Sequence, residues 1–105
     1  MAKLLEMVGG EKVYLVELID SFLADAPQLL ADMEQAAEGG NAAALRLTAH
    51  SLKSNAADFG AAALRDLCKE LEMRGKNGDL VGVTDLVQQA KATFVQVKVA
   101  LEEMK

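Results

Sequence analysis

Between Val83 and Met104 the apolar residues Val83, Leu86, Val87, Ala90, Phe94, Val97, Leu101 and Met104 recur at steps of three and four. That spacing places them on one stripe of an α-helix, and it is the longest regular stripe in the chain. Val95, Val97 and Val99 alternate as strand residues would. The helical stripe runs well past them on both sides without a turn signal, so helix is read throughout. Asp79, just after the Asn77-Gly78 turn, is the expected N-cap of this last helix.

The same period fills the intervals between glycine marks at Gly9-Gly10, Gly39-Gly40, Gly60 and Gly75-Lys76-Asn77-Gly78. Residues 3–8 read as a short opening helix. From Glu11 to about Ala24 the stripe is Leu15, Ile19, Phe22, Leu23 and Ala26. Asp25-Ala26-Pro27-Gln28 combines a capping residue with a first-turn proline, which predicts a kink or break. A further segment with Ala26, Leu29, Leu30, Met33 and Ala37 inward ends at Gly39-Gly40. Asn41 is expected to cap a helix carrying Leu45, Ala49, Leu52, Ala56 and Phe59 on its inner stripe, with Gly60 as its terminator. The next helix turns Leu64, Leu67, Cys68 and Leu71 inward and should end by Gly75. No strand has a claim, and the short connections make neighbouring helices antiparallel. The expectation is an all-α, antiparallel up-down four-helix bundle with a short additional N-terminal helix.

Composition narrows what such a bundle can do. The chain has 105 residues, a single-domain length, so residues 1–105 are expected to form one domain with a core of Leu, Val, Ala and Met, given three Phe, one Tyr and no Trp. A net charge of −5 disfavours nucleic acid and anionic lipid as partners and favours protein. No apolar run reaches the roughly 20 residues of a membrane span, and the N-terminus does not read as a signal peptide. A soluble, cytoplasmic monomer is expected. The single Cys68 cannot form an internal disulfide and fits a core stripe. One His, one inward Cys and scattered carboxylates supply neither a metal cluster nor a nucleophile with its own base. The glycines lie between helices rather than after a strand, so no phosphate-cradling loop is present. No metal and no cofactor are expected.

The chain's only histidine, His50, lies on the helix capped by Asn41. At about 100° per residue it points roughly 140° away from the centre of the inner stripe, so it faces out. An exposed imidazole titrates near pH 6.5, so at pH 7 most of it is neutral and its nitrogen can accept a phosphoryl group without activation. The added negative charge would meet Lys53 at i+3, with Ser54 at i+4 as a hydroxyl donor and Arg46 at i−4 as a second cation. Ala57 and Ala61 are small enough to leave the site open. Leu47, at i−3, is apolar on the outward side and is a candidate docking residue.

Ala49-His50-Ser51-Leu52-Lys53-Ser54-Asn55-Ala56-Ala57-Asp58-Phe59-Gly60-Ala61, followed by Leu64, Leu67, Cys68 and Leu71-Glu72, resembles the histidine-containing phosphotransfer (HPt) domain of multistep two-component signalling. That family's motif is a His, a Lys three residues later, a small residue next, and a Gly-Ala pair some ten residues after the His. Phe22-Leu23-Ala24-Asp25-Ala26-Pro27 and the Gly78-Asp79-Leu80 helix are similar too, so the likeness covers nearly the whole chain. It implies a four-helix bundle that takes a phosphoryl group from a receiver-domain aspartate and passes it to another receiver, with no kinase or phosphatase activity of its own. By position it implies His50 as phosphoacceptor, Lys53 as the phosphate-stabilising cation, Gly60 as helix terminator, and Leu47 with Ala57 at the receiver interface. Many members carry Gly where Ser54 stands, and Asn55 is larger than the usual residue there and should point to the flank. Two other readings share the bundle: direct phosphorylation of His50 by a chemotaxis-type or hybrid histidine kinase, and a phosphate-independent adaptor that binds a partner through the same face.

Overall fold

The computed structural model describes residues 12–105, in four helices: α1 (Lys12–Glu38), α2 (Ala42–Asp58), α3 (Ala62–Asn77) and α4 (Val83–Glu103). The opening helix expected over residues 3–8 lies outside the described residues. Each helix packs on its neighbours in chain order, and α4 closes the ring on α1. The short connections make this the expected antiparallel up-down bundle.

α1 runs unbroken through the position where a kink or break was expected, with Pro27 inside it. A proline in a helix interior removes one hydrogen bond and costs about 3 kcal/mol. Ile19, Phe22, Leu30 and Met33 lie on both sides of it and are all buried in one core. At roughly 1.5–3 kcal/mol per large apolar side chain, keeping both halves in register outweighs the lost bond. Pro27 itself is exposed and so takes no place in that core.

Asn41 caps α2 as expected, its Oδ1 accepting from the Ala44 N–H at 3.1 Å. At the other end Gly60, at φ 69°, turns the chain: the Gly60 N–H donates to the Ala57 carbonyl and the Ala61 N–H to the Ala56 carbonyl. This Schellman closure needs a left-handed residue that glycine adopts without strain. Ala61 is buried in the core at this turn instead of bordering an open site.

α3 does not stop at Gly75 but continues to Asn77, and Gly75 is buried inside it. A Cβ on Gly75 would come within 2.8 Å of both the Ala42 carbonyl oxygen and the Arg46 nitrogen. The glycine allows the backbones of α3 and α2 to lie close together here, a role that sequence position alone does not distinguish from termination. Asp79 likewise is not the cap of α4. Its Oδ1 accepts from the Val81 N–H within the turn, Arg74 binds the Val81 carbonyl, and Gly82 opens the helix.

The core is continuous and aliphatic, with one aromatic joint. Phe22 stacks on Phe59 at 4.7 Å between ring centroids and meets Phe94 edge-on at 5.8 Å. Cys68 is fully buried, and burial pushes its thiol up to about 12, so it is core filler as expected. Leu64 and Leu71 beside it are also fully buried, while Leu67 is half-buried. Among the described residues no helix is long and apolar enough to cross a membrane.

Candidate functional site: an exposed histidine held across a helix pair

α2 turns Leu45, Ala49, Leu52 and Ala56 inward and leaves His50 on its outer side, as the period requires. The His50 side chain is 59% exposed. Leu47 is 69% exposed, and Arg46, Ser54 and Ala57 are exposed on the same outer arc of the helix. Arg46 makes no ion pair among the described residues. Asn55 is half-buried on the flank, where it lines a groove of about 390 Å³ with Ser51 and with Ala24, Asp25, Gln28 and Leu29 of α1. Ser51 itself donates to the Leu47 carbonyl at 3.2 Å, so its hydroxyl is turned back onto the helix.

The structure adds one residue to the site. Glu72 of α3 reaches across the helix pair, placing Oε2 at 2.6 Å from His50 Nδ1, while its Oε1 accepts from Lys53 Nζ. Both bonds exist because α2 and α3 are an antiparallel hairpin about Gly60, and residues a similar distance before and after that turn stand at the same height. The signal was available in that counting. It yields only a shortlist on α3, since the rotation of each helix decides which residue faces across. Gly75, one turn beyond Glu72, draws the two backbones together on this side.

Electrostatics then fix which imidazole nitrogen is free. The hydrogen bond from Lys53 is the main force holding the Glu72 carboxyl below the usual carboxylate range; partial burial opposes it, and the bond to His50 adds to it. An ionised carboxylate only accepts hydrogen bonds, so Nδ1 must be the donor. In the neutral ring the proton is then on Nδ1, and Nε2 carries the lone pair on the edge facing away from Glu72. The arrangement thus leaves one unprotonated ring nitrogen turned away from Glu72, on a side chain that is more than half exposed.

Lys53 lies on the inner flank of the site. It shares the α3-facing flank with the inner side of the imidazole, its side chain is 28% exposed, and its ammonium is bound to Glu72. Among the described residues no group of three or more His, Cys, Asp or Glu could hold a metal ion.

The chain is similar to known proteins in sequence and in fold. The sequence model of the Hpt domain matches residues 17–104. The phosphorelay proteins LuxU of Vibrio vulnificus strains YJ016 and CMCP6 are each 33% identical over 84 residues, covering 80% of this chain and 71% of theirs. The crystal structure of histidine-containing phosphotransfer protein B (HptB) from Pseudomonas aeruginosa PAO1 superposes with a TM-score of 0.87 at 35% identity, over 97% of this chain and 86% of that one.

Proposed function

This chain belongs to the Hpt domain family and works by histidine phosphotransfer within a phosphorelay, and on that premise we propose that His50 is its phosphoacceptor. The observation that carries the assignment is the bond from His50 Nδ1 to Glu72, which leaves Nε2 free and facing solvent on the chain's only histidine.

In the reaction proposed, Nε2 attacks the phosphorus of a receiver's phosphoaspartate. The Nε2–P bond forms, the P–O bond to the aspartyl carboxyl breaks, and the aspartate leaves as a carboxylate. The imidazole ring becomes cationic without taking up a proton, because Nδ1 keeps the one it already donates to Glu72. The Glu72 carboxylate, 19% exposed, stabilises that charge through a charge-assisted bond. Delivery to the next receiver is the reverse: the Nε2–P bond breaks and neutral imidazole leaves. No proton moves in either direction, so no separate general acid or base is required.

Leu47, Ser54 and Ala57 form the surface on which a receiver would seat, with Arg46 at its edge. A small partner-facing hydroxyl at Ser54 fits between the exposed Leu47 and Ala57 without adding bulk. Gly60 serves as the turn that sets the α2–α3 register. We read the chain as a phosphoryl carrier without kinase or phosphatase activity of its own, acting in the cytoplasm as a monomer and using no cofactor. Its partners on this reading are receiver domains, including that of a hybrid histidine kinase.

The test is transfer from a receiver domain labelled with acetyl phosphate. Wild type should acquire acid-labile, base-stable phosphate, whereas His50→Gln should fold with the same helix content and acquire none. Label on the His50→Gln protein would place the acceptor elsewhere.

A further inference from the structure

Resting on the assignment of His50, we propose that Asp25 and Asp32 of α1 select the receiver: the partner that seats on His50 is one that presents a lysine or arginine to the α1–α2 seam beside it. The two sides of His50 differ in charge and in shape, and both differences bear on the partner.

At about 100° per residue, Arg46 and Lys53 stand roughly 40° and 60° from His50 around α2, on the side toward α3. They are the only lysine and arginine of α2. On the side toward α1, Ser54, Leu47 and Ser51 follow at roughly 40°, 60° and 100°, and Ser51 already lines a groove. The α2–α3 seam is closed by the Glu72 bridge and by the approach of the backbones at Gly75. The α1–α2 seam is open.

Two grooves lie end to end along it, about 390 Å³ toward Asn55 and about 470 Å³ toward Asn41, and the 2.9 Å bond from Gln28 Nε2 to Asp32 Oδ1 spans the join. From Asn41 to Asn55 α2 rises about 21 Å, so the seam can seat a whole element of a partner. Leu29, Ala36 and Ala44 contribute apolar surface to it. Asp25 and Asp32 are the only charged residues lining either groove, and neither is paired with a cation among the described residues.

The wider charge distribution has the same sense. α1 carries six carboxylates and one lysine, a net −5 that equals the charge of the whole chain, whereas cations outnumber carboxylates by two to one on α2 and by four to three on α3. His50 therefore stands where a positive flank meets a negative one. A receiver brings the anionic phosphoaspartate over His50, on the side of Arg46. A cation on the receiver's other side then finds Asp25 and Asp32, and a carboxylate in its place is repelled.

Uptake is measured against a panel of receiver domains labelled with acetyl phosphate, and the one with the highest kcat/KM for wild type is carried forward. Asp25→Asn combined with Asp32→Asn should lower kcat/KM about three- to tenfold at about 50 mM salt, through KM and with kcat unchanged, and by less than about twofold at about 500 mM. Glu17→Gln combined with Glu103→Gln removes two charges from exposed positions outside the grooves and should stay within about twofold of wild type. Urea denaturation checks that each variant is folded. Equal losses in the two double variants would mean that only net charge matters. A loss that persists at high salt, a loss in kcat, or no loss would mean that these carboxylates do not choose the partner. Each of these results overturns the proposal.

Charge reversal gives a second reading. Asp25→Lys should slow uptake further, and replacing one lysine or arginine of the receiver by glutamate should recover the rate; recovery by no such replacement would also overturn the proposal. A wild type that takes no label from any receiver would defeat the assignment of His50, and this inference with it. Normal labelling that ignores Asp25 and Asp32 would defeat the inference alone.

Discussion

At the scale of single residues, the site depends on one carboxylate serving two nitrogens. Glu72 is held below the ordinary glutamate range, chiefly by Lys53. A carboxyl whose folded value is depressed binds fewer protons folded than unfolded, so its stabilisation is complete above the unfolded value, near 4.3, and is lost as pH falls through the lower folded value. Wild type should accordingly exceed Glu72→Gln in urea midpoint at pH 7, and the gap should close as the pH is taken below about 4. A gap that stayed constant with pH would show that the charge of Glu72 contributes nothing to it. The same logic covers Glu34, lowered by its bond to Lys91 and then by that to Gln88, which ties α1 to α4. His50 could be identified from its outward position and its uniqueness. Glu72 could not, because a glutamate beside an inward leucine on a surface helix looks like any solvated charge until the opposing helix is placed.

At the scale of elements, the α2–α3 pair is set by two glycines with different tasks. Gly60 closes the turn through a left-handed backbone, and its residue type announces that role. Gly75 permits contact between backbones, and that role is invisible in the sequence, where a glycine near a predicted helix end reads as a terminator. Gly75→Ala inserts a methyl group against main-chain atoms that cannot swing aside. It should cost about 1–3 kcal/mol of stability by overpacking. Because α3 must move away from α2 on the side that carries Glu72, it should also slow phosphoryl uptake in protein that is still fully folded. Denaturation curves and uptake rates on the same sample check both parts. Stabilisation or unchanged uptake would mean that the helices do not touch as described. Pro27 teaches the complementary lesson: local chemistry favoured a break in α1, and burial on both sides of the proline kept the helix whole.

At the scale of the whole molecule, four helices share a core that is apolar throughout its described extent. The aromatic joint of Phe22, Phe59 and Phe94 links α1, the end of α2 and α4 near the turn that fixes the α2–α3 register. Phe22 contacts both other rings, so Phe22→Ala should cost about 3–5 kcal/mol. Chemical denaturation should show the loss as a lower midpoint with the slope retained. A loss below about 1 kcal/mol would mean that neighbouring side chains collapse into the space. The bundle sets the rotation of α2 and α3 at which an imidazole and a carboxylate meet at 2.6 Å.

What the sequence by itself determined is the part governed by local periodicity and turn chemistry. The helical class, the inward stripes, the Asn41 cap, the Gly60 turn and the outward histidine all follow from spacing within one helix or one turn. What only the tertiary structure decided is the part that depends on how two helices are rotated and how closely they approach. Continuation of α1 through Pro27 and of α3 through Gly75, and the bridge from Glu72 to His50 and Lys53, belong to that part. The physical reason is common to them: each is settled by packing against residues distant in the chain, whose combined burial outweighs a local preference of a few kcal/mol.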